Sequence, residues 1–180
     1  MTKQEYNQFL EAEVFPAKCS LIYRLYYRLI GLYLDGPHHA IYLIRTMQYS
    51  ASHKGIFYFF RTLLIQKRLL QKYSMHISPY CIIGKGLHLP HPIGIVIGKH
   101  VIIGEHCSIY QCVTLGGGRT GDVKKHNQPT IGDNVTIFAG AMVLGKLHVN
   151  DNSIIAANSV LLKDTEGSGV YAGSPARKVK

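Results

Sequence analysis

Residues 131–161 read IGDNVTIFAGAMVLGKLHVNDNSIIAANSVL, and an aliphatic residue opens every hexapeptide: Ile131, Ile137, Val143, Val149, Ile155 and Leu161. A period of six fits neither the 3.6 of an amphipathic helix nor the two of a half-buried flat strand. It is the signature of a β-helix, in which each hexapeptide forms one short strand and a turn. Three hexapeptides make a triangular coil, and stacked coils bring the opening aliphatics into one inner column. The same beat runs upstream through Ile97, Ile103, Ile109 and Leu115, and earlier through Ile77, Ile83 and Leu89. It breaks twice. In LHLPHPIGIVIG (residues 87–98) it slips by two around His91, and GGGRTGDVKKHNQPT (residues 116–130) leaves the coil between Leu115 and Ile131.

Residues before this region follow a different rule. CSLIYRLYYRLIGLYLDG (19–36), HAIYLIRTMQYS (39–50) and GIFYFFRTLLIQKRLLQKYS (55–74) space their apolar residues by three and four and predict helices. The chain carries 20 Lys and Arg against 10 Asp and Glu, a formal charge of +10. Ten of those basic residues and four of the acidic ones precede residue 75, so more than half of the excess lies in the helices. Such an excess favours an anionic partner. Basic residues interleaved with Tyr and Phe read in two ways. One is an amphipathic face for a membrane surface; the other is a helical cap packed on its own neighbour or on another subunit. The four cysteines show no CxxC pairing, and Cys81, Cys107 and Cys112 read as small buried residues in a reducing compartment. MTKQEYNQFLEAE lacks the apolar core of a secretion signal, and Arg24, Arg28, Arg45 and Arg61 interrupt the apolar runs. A cytoplasmic protein is expected, with the inner membrane face as an additional site of contact.

The segments HISPYCIIGKGLHLPHPIGIVIG, IYQCVTLGGG, HNQPTIGDNVTIFAGAMVLG, ANSVLLKD and YAGSPARKV, in that order, resemble the serine acetyltransferase branch of the left-handed β-helix acyltransferases. That branch includes the O-acetyltransferases of capsule and exopolysaccharide pathways. The resemblance covers residues 76–180, and the slip, the CVTLGG run and the terminal GSPAR together carry it. It implies a mainly β fold: a left-handed parallel β-helix of hexapeptide repeats over residues 75–180, preceded by a short α-helical N-terminal cap over residues 1–74. It also implies acetyl-CoA as co-substrate, no metal, and a homotrimer with its sites between subunits; whether trimers pair through the cap stays open.

In the family, the irregular turn carries the general-base histidine, and His91 holds that place. A neutral imidazole is suited to take the proton of a hydroxyl attacking a thioester. The backbone N–H groups of Gly116 and Gly117 are the implied oxyanion donors. His126, preceded by Lys125, matches the Arg-His pair that handles the acceptor if Asn127 and Gln128 are counted as inserted. Ala139, Gly140 and Ala157 match the small-residue stretches along which the pantetheine arm lies. Lys163, Arg177 and Lys178 fall where basic residues meet the cofactor's phosphates, although each also reads as a solvated surface charge.

Three positions depart from the pattern. Pro90 replaces the aspartate that helps hold an amino-acid ammonium group, His76 replaces the aspartate that orients the catalytic imidazole, and Lys99 replaces a glutamate. Missing acceptor-side carboxylates lead to the expectation of a sugar acceptor, in a surface polysaccharide or its precursor. Serine O-acetylation for cysteine biosynthesis is the alternative. A zinc site from His88, His91, His100, His106 and His148 is disfavoured, because His88 and His106 straddle the slip and no His-x4-His pair occurs. A nucleic-acid-binding module is disfavoured by the absence of any recognised motif.

Overall fold

The computed structural model describes residues 1–15, 22, 25 and 36–180. Among these, helices α1 (Lys3–Glu13), α2 (Gly36–Ala51) and α3 (Ile56–Tyr73) precede fourteen short strands, β1 (His76–Ile77) to β14 (Ala176–Lys178). The helix read at 19–36 lies, but for Ile22, Leu25 and Gly36, outside the described residues. α1 starts at a capping box, in which Thr2 Oγ1 accepts from the Glu5 N–H and Glu5 Oε2 accepts from the Thr2 N–H. α3 ends where Ser74 turns left-handed at φ 52° and its N–H donates to the carbonyl oxygen of Leu70.

The remainder is the left-handed parallel β-helix. Face I stacks β1 (His76–Ile77), β3 (Val96–Ile97), β6 (Thr114–Gly116), β9 (Met142–Leu144) and β12 (Val160–Leu161). Face II stacks β2 (Ile82–Ile83), β4 (Ile102–Ile103), β7 (Thr130–Ile131) and β10 (His148–Val149). Face III stacks β5 (Ser108–Ile109), β8 (Thr136–Ile137), β11 (Ile154–Ile155) and β13 (Val170–Gly173), and β14 turns back antiparallel onto β13.

The register shows where the beat is kept and where it breaks. On face I, Ile97 pairs with Leu115 and Val143 with Leu161, each eighteen residues on, which is three hexapeptides. Ile77 pairs with Ile97, twenty on, because the slip adds two residues at the edge between faces III and I. Leu115 pairs with Val143, twenty-eight on, because the insertion adds ten at the edge between faces I and II. Despite both interruptions the column is continuous, and Ile97, Ile109, Leu115, Ile137, Val143, Val149 and Ile155 are completely buried.

A parallel coil leaves backbone groups unpaired at its first turn, where no earlier coil supplies partners. The helices supply them. Arg45, on α2, is fully buried and donates from Nη1 to the Ile83 carbonyl at 2.8 Å and from Nη2 to the Gly84 carbonyl at 2.6 Å. Gln48 Nε2 donates to the Cys81 carbonyl. Glu13, at the end of α1, receives Arg45 through both carboxylate oxygens and also accepts from the Gly86 and Leu87 N–H groups. The outer side of α3 leaves Phe57, Phe60, Leu64 and Leu70 exposed.

Breaking a buried pair from one side leaves a desolvated charge without its partner. Glu13→Ala should therefore lower unfolding free energy by about 3–5 kcal/mol in chemical denaturation. Replacing Glu13 and Arg45 together by apolar residues of similar volume should not recover that loss, because the Ile83 and Gly84 carbonyls and the Gly86 and Leu87 N–H groups then lose their partners.

Candidate active site

His91 sits in the slip, at the edge between faces III and I, and is exposed. The turn here is narrow: the Ile93 N–H donates to the His91 carbonyl, and the Gly94 N–H reaches back to the carbonyl of Tyr73 at the end of α3. The His91 imidazole lies edge-to-face with Tyr110, ring centroids 6.3 Å apart, and Tyr110 packs on Phe138 at 4.9 Å. Among the described residues no side-chain hydrogen bond reaches the imidazole. His76 begins face I with its N–H on the Ile95 carbonyl, and its exposed side chain makes no hydrogen bond to His91 among the described residues. Pro90 points to the helical end, lining a cleft with Glu13, His38, Gly86 and His88.

The small-residue stretches follow His91 along the same edge. Cys112, Ala139–Gly140 and Ala157–Asn158 occupy successive corners, joined by the Gly140 N–H to the Gln111 carbonyl and the Asn158 N–H to the Ala139 carbonyl. Gly140 adopts φ 70°, and a Cβ there would strike the Asn158 side-chain oxygen, so this corner admits close approach because it is glycine. Cys112 corrects the reading of three buried cysteines. Cys81 and Cys107 are buried, and burial pushes their thiols up to about 12 and about 11. Cys112 is exposed, because it takes the left-handed corner position, φ 58°, whose side chain leaves the column.

His126, Lys125, Gly116 and Gly117 lie on a different edge, between faces I and II, where the insertion departs. Asp122 organises that loop: its carboxylate accepts from the Gly118 N–H at 2.9 Å, the Arg119 N–H at 2.7 Å and Asn127 Nδ2 at 3.1 Å. These bonds, that from the Asn127 side chain foremost, hold its carboxyl below the ordinary 3.8. The His126 ring stacks on His100, centroids 3.8 Å apart and planes 16° apart. Burial, followed by the neighbouring His126 and Lys99, holds the His100 imidazole below its ordinary value. The stacked pair lines a cleft of about 610 Å³ with Tyr80, Thr130, Lys146 and His148. Gln128 lies beneath it, 5% exposed, and neither atom of its amide has a hydrogen-bond partner among the described residues.

One chain thus places His91 and His126 at opposite borders of face I rather than together. Lys163 follows β12, while Arg177 and Lys178 lie on β14. All three are exposed at the last coil, where Lys178 Nζ donates to the Glu166 carbonyl. Tyr110, Asp122 and Gln128 were not singled out from the sequence. Neither was His100 as a neighbour of His126; the register across the insertion pairs Ile102 with Thr130, which sets His100 opposite Gln128 and not His126. No group of three or more metal-ligating side chains converges among the described residues, and none of their helices is long and apolar enough to cross a membrane.

Stacked hexapeptide coils carrying an exposed histidine in the interrupted turn define a hexapeptide-repeat transferase, and the bacterial transferase hexapeptide family (six repeats) matches residues 128–163. The serine acetyltransferase of Helicobacter pylori is 41% identical over 130 residues, 72% of this chain and 74% of that protein. The chain belongs to the serine acetyltransferase family. The Staphylococcus aureus serine acetyltransferase (strain Mu50) is 45% identical over 107 residues, 59% of this chain and 49% of that protein, so the chain spans about half the length of this relative. A serine acetyltransferase solved in complex with CoA is similar at a TM-score of 0.65 and 33% identity, covering 79% of this chain and 56% of that one.

These relatives correct the expected acceptor. The polysaccharide expectation rested on Pro90, His76 and Lys99 standing where carboxylates were anticipated. Losing those groups removes one means of holding an ammonium ion but supplies no contact to a sugar, and the likeness to serine acetyltransferases favours the serine alternative.

Asp122→Ala should speed amide hydrogen exchange at Gly118 and Arg119 at neutral pH with the far-UV circular dichroism unchanged. A carboxyl held low when folded contributes fully above 3.8, and the contribution is lost as pH falls through its folded value. The wild-type loop should accordingly loosen below pH 3.8 and not above it.

Proposed function

We propose that the chain is an acetyl-CoA-dependent serine O-acetyltransferase acting in cysteine biosynthesis. The observation that carries the reading is the edge on which His91 stands exposed in the slip, followed by the small corners Ala139–Gly140 and Ala157–Asn158. His91 acts as general base. Its neutral imidazole takes the proton of the serine hydroxyl as that oxygen bonds to the thioester carbonyl carbon; the C–S bond then breaks, and the proton passes to the departing thiolate to give O-acetylserine and CoA. The CoA bound to a serine acetyltransferase of similar fold, the likeness to acetyltransferases and the small corners all support acetyl-CoA as the donor. The pantetheine arm lies along those corners, and Lys163, Arg177 and Lys178 meet the phosphates at the last coil.

The separation of His91 from the His126 edge supports a homotrimer. Cyclic symmetry sets the III/I edge of one subunit against the I/II edge of the next, so each site takes His91 from one chain. Lys125, His126 and the Gly116–Gly117 N–H donors come from its neighbour. A cytoplasmic setting accords with the unpaired Cys81, Cys107 and Cys112. Exposed Phe57, Phe60 and Leu64 beside Lys67 and Arg68 on α3 support contact with an anionic membrane face.

The test is thiol release from acetyl-CoA by the purified chain with L-serine, followed by identification of O-acetylserine. Release that needs serine is expected, and its absence would sink the reading. His91→Ala should keep its circular dichroism and oligomeric mass while losing a factor of about 10² to 10⁴ in kcat. Near-normal turnover would remove His91 from the mechanism.

A further inference from the structure

We propose that His100 is a positioning residue for His126, its ring serving as the flat surface that fixes the plane of the acceptor-side imidazole. This inference rests on the serine O-acetyltransferase reading for what His126 binds, and on the geometry of the pair for how His126 is held.

His126 sits near the end of a ten-residue excursion, at a left-handed backbone position, φ 56°. Asp122 pins the base of that loop but not the histidine side chain. Among the described residues His126 makes no side-chain hydrogen bond, and its ring contact is the stack on His100 at 3.8 Å and 16°. His100 belongs to the Lys99-His100 corner, one coil earlier on the rigid β-helix between β3 and β4. The stack therefore joins a loop side chain to the scaffold.

Two imidazoles this close do not both carry charge at low cost. His100 is the member held low, by burial first and then by His126 and Lys99. It offers its ring face to His126.

Lys146, His148 and Asp164 line the same cleft as the stacked pair, and the buried Gln128 amide there has no partner of its own among the described residues. Such an orphaned amide is unfavourable unless a polar group or water meets it. His126, fixed by His100, faces the same cleft as that amide.

Steady-state kinetics on the full chain test the proposal. His100→Ala should raise the KM for L-serine about 3- to 10-fold, the order expected for one lost aromatic stack, and leave the KM for acetyl-CoA unchanged. His100→Phe, which keeps a flat ring, should return serine KM to within about twofold of wild type. In a His126→Ala background, His100→Ala should add nothing. A parallel rise in both KM values, a Phe variant no better than Ala, or an undiminished effect without His126 would each overturn the role.

If the wild-type chain releases no thiol with serine, the functional reading fails separately, and NMR of the His126 ring protons still decides the stack. Upfield ring-current shifts in wild type and His100→Phe that vanish in His100→Ala support positioning. Identical shifts in all three overturn it.

Discussion

The buried pair of Glu13 and Arg45 is the interaction on which the rest of the molecule depends. A parallel β-helix satisfies its backbone by stacking, so each coil answers for the next, and the first coil is left with carbonyls that nothing in the repeat can meet. Arg45 meets two of them while remaining fully buried, and Gln48 meets a third. A guanidinium can occupy that place because Glu13 neutralises it through both oxygens and uses the remaining capacity of its carboxylate on the N–H groups of Gly86 and Leu87. One ion pair thereby ties α1 and α2 to the start of the solenoid. Buried pairs of this kind are modest contributors to net stability; here the gain lies in specifying how helices and coils join.

The exposed histidines proposed for the chemistry, His91 and His126, stand where the repeat is interrupted. A regular coil has every backbone group in a ladder and every column residue inside, so it offers a reacting molecule little besides exposed strand faces. The slip and the insertion release side chains from that regime, and both leave the column intact because each adds residues at an edge. The slip exposes His91 beside Tyr110, and the insertion lays His126 on His100. Coils above and below hold both groups at fixed edges, as the roles proposed for them require.

The substitutions that separate this chain from its family's pattern show how little a missing group says about a ligand. Pro90 and His76 lack carboxylates, yet Pro90 faces the helical end, and His76 makes no hydrogen bond to His91 among the described residues. What a position has lost says which contact is gone and not which ligand has replaced the old one. The edge-to-face ring of Tyr110 beside His91 and the stack of His100 under His126 are contacts between separate coils, and neither appears in a comparison of single positions.

The period of six was enough to establish the β-helix, the aliphatic column and the two interruptions, because a buried column tolerates no drift and writes its spacing directly into the residues. The same local logic revealed α2 and α3 from their three-and-four spacing, and marked His91 as the histidine inside the slip. Tertiary structure alone decided what lies far apart in the chain: Glu13 on Arg45, His100 on His126, Asp122 over its own loop, and the exposure of Cys112. Each depends on which edge of the triangle a residue occupies, and an edge is set by the coil count together with the residues added at each interruption. Periodicity reports burial, which every repeat states for itself; contacts across edges arise only when the coils close.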